Sequence, residues 1–192
     1  VAVKFSQAGQ SQTIQNELKT LRMLGEHPNI VKLVYVVAPC LVMEFCEMDL
    51  QQRLEKSSLA CHDAQKFTGH IAAALRYIHD KGFIHRDVKP RNILISGNKA
   101  KLCDFGLTIS ESKSAHVNPF AGTPGFRAPE SLRGCAPTSK IDMFGLGCVI
   151  YQMVTNRRRP PILGSAQSKL FGYHPDATHL IRSLLSPHPN ER

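Results

Sequence analysis

The chain's six cysteines, Cys40, Cys46, Cys61, Cys103, Cys135 and Cys148, form no C-x-x-C pair and no metal-ligand spacing. That argues against a zinc module and against a disulfide framework. Several of them lie inside apolar runs, as buried free thiols do, which suits a reducing intracellular compartment. No apolar stretch approaches the length of a bilayer span and no secretory pattern is present, so no membrane role is expected. Repeats and low-complexity tracts are missing. So are aromatic-rich and zinc-type nucleic-acid motifs, which leaves a nucleic-acid-binding module resting on charge alone. Acidic residues are scarce, 15 against 24 lysines and arginines, giving a formal charge of +9 and a pI near 9.5. This balance favours anionic partners, from nucleotides to acidic proteins, although most such cations simply face water. What is present in quantity is apolar residue, 42% of 192, enough for one domain or for one domain with a small extra lobe.

The chemistry is concentrated between residues 84 and 106. Asp87, Lys89, Asn92 and Asp104, with Arg86 beside them, place ligands for phosphate and metal within a short stretch. Two apolar runs, Asn92-Ile-Leu-Ile95 and Ala100-Lys-Leu-Cys103, are joined by Ser96-Gly-Asn-Lys99 and read as a β-hairpin with charged groups at its ends. Closing that hairpin brings Asn92 near Asp104, an amide oxygen beside a carboxylate, a pair suited to Mg²⁺. Asp87 sits upstream, free of the metal, where it can accept a proton from a hydroxyl.

His85-Arg86-Asp87-Val88-Lys89-Pro90-Arg91-Asn92 resembles the catalytic loop of protein kinases, and Asp104-Phe105-Gly106 resembles their metal-binding triplet. The two motifs at this spacing, with a hairpin between them, are far more specific than either alone. The resemblance implies an α+β, two-lobed fold: residues 1–45 the remaining small lobe from its third strand onward, residues 46–192 a mainly helical large lobe without its final helices. It implies ATP and Mg²⁺ as cofactors and proteins bearing serine or threonine as substrates.

Further residues follow by the same resemblance. Val1-Ala-Val-Lys4-Phe5 is similar to the family's third strand, with Lys4 on the α- and β-phosphates and Ala2 beside the nucleotide. Residues 11–24 place Ile14, Leu18, Leu21 and Leu24 on one helical face ended by Gly25, with Glu17 beside that face as the expected partner of Lys4. Val31 to Val37 and Leu41 to Phe45 read as strands joined at Pro39-Cys40. Met43 falls at the gatekeeper position, and the backbones of Glu44 and Cys46 face the adenine edge. Asp49 is either a ribose contact or the cap of the helix that begins at Leu50. Leu94 closes the nucleotide list. A helix over 63–79 carries Phe67, Ile71, Leu75 and Ile78 in register and stops at Lys81-Gly82. His70 and His79 read as packing or surface residues. His85 and Phe105, with Leu21 and Leu33, are expected to stack in one column.

Leu107 to Gly122 turns polar and irregular, with Thr108, Ser110, Ser112, Lys113 and Ser114, and resembles an activation segment in which one of the serines is expected to be phosphorylated by an upstream kinase or by autophosphorylation. Arg86 is the residue that would pair with such a phosphate. Thr123 and Lys89 favour serine/threonine over tyrosine acceptors, and Ala128-Pro-Glu130 closes the segment. Phe126-Arg127 is a less usual filling of the substrate loop. Ile141 to Met153 reads as a buried helix in which Asp142 anchors the catalytic loop and Gly145 and Gly147 permit close packing. Arg157-Arg-Arg159-Pro-Pro161 is a basic run at a helix exit, residues 162–178 are poor in periodicity, and a helix resumes over His179–Leu185. Arg192 matches the arginine that pairs with Glu130.

No Gly-x-Gly-x-x-Gly precedes Lys4. Either a piece of a longer kinase or a naturally truncated one is therefore expected, with the piece having weak or no activity of its own and a poorly stable small lobe. The competing class is a pseudokinase or interaction scaffold. Lys4, Glu17, Asp87, Asn92 and Asp104 are all present, which argues against it.

Overall fold

The computed structural model describes residues 1–5, 11–38, 40–157, 170 and 173–192. Its upper part is a sheet of order β1-β3-β2, from β1 (Ala2–Lys4), β2 (Leu33–Val37) and β3 (Cys40–Met43), all antiparallel. Cys40 is already paired with Val37, so it belongs to β3, and the turn that the sequence places at Pro39-Cys40 falls on residues 38 and 39, of which Pro39 lies outside the described residues.

Helix α1 (Ser11–Leu24) packs against the 3-10 turn Phe105–Leu107. Its inner stripe is Ile14, Glu17, Leu21 and Leu24, all buried, while Leu18 is only half-buried. The apolar pattern is therefore displaced by one position: Glu17 occupies the buried line itself, at the i+3 step after Ile14. Gly25, at φ +73°, ends the helix by donating to Leu21 O at 3.1 Å, a left-handed cap that a side chain would strain.

The lower part starts with β4 (Met48–Asp49) and α2 (Leu50–Lys56). Asp49 caps α2: its Oδ1 accepts from Gln52 N at 2.8 Å, and Gln52 returns a bond to Asp49 N at 3.1 Å. Helix α3 (Cys61–Asp80) buries Phe67, Ile71, Leu75 and Ile78 as its periodicity requires, and forms the post on which the rest packs. β5 (Phe83–Ile84), β6 (Ile93–Ser96) and β7 (Lys99–Leu102) follow, β6 and β7 forming the expected hairpin. Its register pairs Ile93 with Leu102 and Ser96 with Lys99. The two parts are joined at one edge, where Val31 N donates to Leu102 O at 2.9 Å and Leu102 N to Asn29 O at 2.8 Å.

The polar stretch after Leu107 is less irregular than its composition predicts. β8 (Ile109–Ser110) pairs with β5, and residues Glu111–His116 form a 3-10 turn. Short α4 (Pro129–Leu132) leads to α5 (Lys140–Thr155), which is buried on nearly all sides. A Cβ on Gly145 would lie 2.9 Å from Val88 Cβ and O, and one on Gly147 would lie 2.8 Å from Leu184 Cβ. Those glycines let α5 press against the catalytic loop on one side and the last helix on the other. That helix, α6 (Pro175–Leu184), begins four residues before the expected His179. Proline at its first position and His174 as its cap start it, ahead of the apolar residues by which periodicity detects a helix. Of the basic run, Arg157 is described and exposed; Arg158 to Pro161 lie outside the described residues.

Candidate functional site

The loop from β5 to Asn92 is held from below by one buried carboxylate. Asp142, 1% exposed, accepts from His85 N and His79 Nε2 on Oδ2 and from Arg86 N on Oδ1, each at 2.8 Å. A carboxylate taken out of water is tolerable only with such donors. Arg86 takes φ +73°, a conformation that costs a non-glycine residue about 1 kcal/mol or more and that these bonds over-determine. His79 is thus a strut of the loop rather than a packing residue. Its surroundings in sequence, an amphipathic helix end, gave no signal of that.

Above the strut, Asp87 is 8% exposed and surrounded by donors. Oδ1 accepts from Thr123 N at 2.9 Å and Thr123 Oγ1 at 2.7 Å; Oδ2 accepts from Lys89 Nζ at 2.6 Å and Asn92 Nδ2 at 2.9 Å. Burial alone would raise this carboxyl, yet Lys89 and Thr123 outweigh it and hold it below the ordinary aspartate value of 3.8. Lys89 also donates to Thr123 Oγ1 at 2.6 Å, so acid, base and hydroxyl form a closed ring.

A second group sits where β1, α1 and the end of β7 converge. Lys4 Nζ donates to Glu17 Oε2 at 2.6 Å and to Asp104 Oδ1 at 2.9 Å. The pair expected between strand and helix is formed, and Asp104 joins it. Burial works to lower the Lys4 ammonium, but the two carboxylates raise it above the usual lysine value. Glu17 is wholly buried, and burial pushes its carboxyl up while Lys4 and the Phe105 N–H pull against that. A carboxylate buried this deeply is tolerable only beside such a cation. Asp104 is itself left-handed at φ +63°, and the backbone bond from Cys103 N to Asn92 O at 3.0 Å ties its segment to the catalytic loop.

Asn16, next to Glu17, was not singled out by the sequence. Its amide donates to Gly106 O at 2.8 Å and Thr108 O at 2.9 Å, clamping the stretch after Asp104 to α1. Gly106 has no room for more: a Cβ there would stand 2.3 Å from Thr13 Cγ2. His85 and Phe105 meet edge to face, centroids 5.1 Å apart; Leu21 and Phe105 share the core, with Leu33 packed against it.

At the edge expected to face an adenine, Glu44 N is committed to Lys32 O at 3.0 Å, so of its backbone groups only the carbonyl is left for a ligand. Its side chain turns backward, where Oε1 accepts from Lys32 N at 2.7 Å and Lys101 Nζ at 2.8 Å. Ala2 lies on the same side of β1 as Lys4, by strand alternation, and Leu94 is half-buried on β6. Cys46 is half-buried, and burial raises its thiol. Asp49 has one oxygen engaged as a cap. In the polar segment, the guanidinium of Arg86 donates to Asn118 O. Arg192 meets Glu130 at 2.6 Å, and Arg127 places Nε and Nη2 on Gly122 O at 2.9 and 2.6 Å.

The description "protein kinase domain" fits this arrangement at the level of sequence as well: that family's profile matches residues 1–192. The chain belongs to the protein kinase family. It is 31% identical, over 98% of its length, to CBL-interacting protein kinase 25 of Oryza sativa subsp. japonica, and covers 42% of that protein. It is 34% identical over 78% of its length to serine/threonine-protein kinase fused of Drosophila melanogaster, covering 20% of it. To serine/threonine-protein kinase ATG1a of Arabidopsis thaliana it is 31% identical over 92% of its length, covering 33%. The chain thus spans less than half the length of these curated relatives.

Proposed function

We propose that this chain is the catalytic domain of an enzyme that moves the terminal phosphoryl group of ATP onto serine or threonine hydroxyls of proteins. The observation that carries the reading is the ring of Asp87, Lys89 and Thr123, set beside Asn92 and tied through Cys103 N to the Lys4–Glu17–Asp104 group. Phosphoryl transfer asks little covalent work of a protein, so positioning and charge neutralisation dominate. Asp87 is ionised at neutral pH and accepts the hydroxyl hydrogen of the substrate, aiming its oxygen. Lys89 offsets charge on the transferred group. Lys4, held by Glu17, orients the phosphates, and Ala2, Leu94, the Glu44 carbonyl and the Cys46 backbone surround the adenine. Asp49 is the weakest of the ligand contacts, since its carboxylate caps α2.

The donor set fits Mg²⁺. Asn92 spends its amide hydrogens on Asp87 O and Oδ2, which turns its oxygen away from that acid, and the Asp104 side chain is 40% exposed. Among the described residues no group of three or more histidines, cysteines or acids could cage an ion. An amide oxygen and a carboxylate suit a hard ion that completes its shell with phosphate and water. When bound, Mg²⁺ would neutralise charge on the phosphates.

In this reading residues 1–45 form the small lobe and residues 46–192 the large one. Protein substrates are implied by the family; the enzyme acts inside the cell, and Arg86, now donating to Asn118 O, would be drawn to a phosphate on Ser110, Ser112 or Ser114. The test uses the full-length protein. ATP-dependent phosphorylation of a mixed protein substrate should be lost in Asp104→Asn and Asp87→Asn; equal signals in wild type and both variants would leave a kinase-fold scaffold instead.

A further inference from the structure

We propose that Arg127 is a positioning residue for Asp87, acting through the single peptide group that joins Gly122 to Thr123. The inference rests on the phosphotransfer reading above and assigns a part to a residue outside the catalytic loop. The carbonyl of that peptide group accepts both Arg127 bonds, from Nε at 2.9 Å and Nη2 at 2.6 Å. The N–H of the same group donates to Asp87 Oδ1 at 2.9 Å. One amide plane is therefore gripped at both ends, by a guanidinium on its oxygen and a carboxylate on its hydrogen. Amide resonance connects the two ends: density drawn onto the oxygen makes the N–H a stronger donor. The charged fork strengthens the effect, since charge-assisted bonds are roughly twice as strong as neutral ones.

The backbone is shaped for this contact. Gly122 is at φ +100°, and a Cβ there would stand 2.6 Å from Arg86 O, so the peptide lies directly on the catalytic loop. Arg127 also uses its fork unlike Arg192, whose guanidinium meets the Glu130 carboxylate. Here both described bonds go to one neutral carbonyl. The charged groups around Asp87 are Lys89 and Arg86 on its own loop, Asp142 on α5 and Arg127 on the closing segment, and only Lys89 touches the carboxylate directly. Asp142 is already occupied by His79, His85 N and Arg86 N. Arg127 thus reaches Asp87 by one route, the peptide. Its expected consequence is a carboxylate fixed in one rotamer.

The experiment compares full-length wild type with Arg127→Lys, Arg127→Gln and Arg127→Met. In Arg127→Met the expected result is a fall in kcat of about three- to tenfold, the loss expected for one hydrogen bond, with the KM for ATP unchanged. Arg127→Lys, which keeps a cation on the carbonyl, should restore most of kcat. The Thr123 amide proton should move upfield in Arg127→Met, and this readout needs no activity. An inactive wild type would sink the phosphotransfer reading, while the Thr123 resonance would still decide the relay. An active wild type whose Arg127→Met form shows only a raised KM for the protein substrate, with kcat and the amide resonance in place, would overturn the proposal. Should Arg127→Met fail to fold, Arg127→Gln, which retains one neutral donor, is held to the same criteria.

Discussion

Asp142→Asn isolates the support beneath the catalytic loop. The amide can turn its oxygen to only one side. With the oxygen at the Oδ2 position it keeps His85 N and His79, and its own NH₂ then opposes Arg86 N–H, a donor against a donor. With the reverse orientation two bonds are lost instead of one. The first orientation wins, at the cost of an orphaned backbone N–H in a residue that already sits at φ +73°. An unsatisfied buried donor costs about 1–3 kcal/mol, and the two remaining bonds lose their charge assistance, so the total is about 2–4 kcal/mol. Urea denaturation of the full-length protein measures it, with His79→Leu and the double variant completing a cycle. The coupling between Asp142 and His79 should be about 1 kcal/mol. Phosphotransfer should fall along with stability, because Arg86 precedes Asp87 directly. A destabilisation below about 1 kcal/mol with unchanged kcat would refute the account of the loop as strained and externally held.

Other outcomes follow from the same geometry. The stability that ionised Asp87 contributes is present above 3.8 and is lost as pH falls through its depressed folded value. The stability difference between wild type and Asp87→Asn should therefore be flat between about pH 5 and 8 and change only in more acid solution; a change within that plateau would contradict the assignment. Gly106→Ala should cost about 1–3 kcal/mol by overpacking, and Thr13→Ser, which removes the 2.3 Å contact, should recover most of it; a double variant no more stable than the single would show that the clash is not the cause. Native protein should react with a thiol reagent at exposed Cys61 and Cys135, while Cys103 and Cys148 resist until the chain unfolds. Burial raises both of those thiols, that of Cys148 to about 12, and rapid labelling of either would show the core to be open.

Much of this was legible in the chain because the informative residues are close together. The hairpin of β6 and β7 follows from two apolar runs and a glycine turn, and α3 from a periodicity sustained over its whole length. What periodicity misses are polar residues on buried faces. Glu17 lies in the inner stripe of α1 because Lys4 neutralises it there, and a rule that counts apolar side chains moves the stripe to Leu18 instead. Asn16 acts on backbone carbonyls and His79 on a carboxylate that folding brings near from 63 to 92 residues away, so no local pattern marks them. β8 has only two residues, too few for any alternation to register. α6 starts with a proline and a cap, and its apolar residues come a turn later.

Glu44 has a mechanical meaning. Its carboxylate receives Lys32 N from just before β2 and Lys101 from β7, with the Lys101 and Glu44 side chains only 13% and 25% exposed. The joint between the two halves is therefore held by a shielded ionic contact. Ordinary salt concentrations will do little to loosen it.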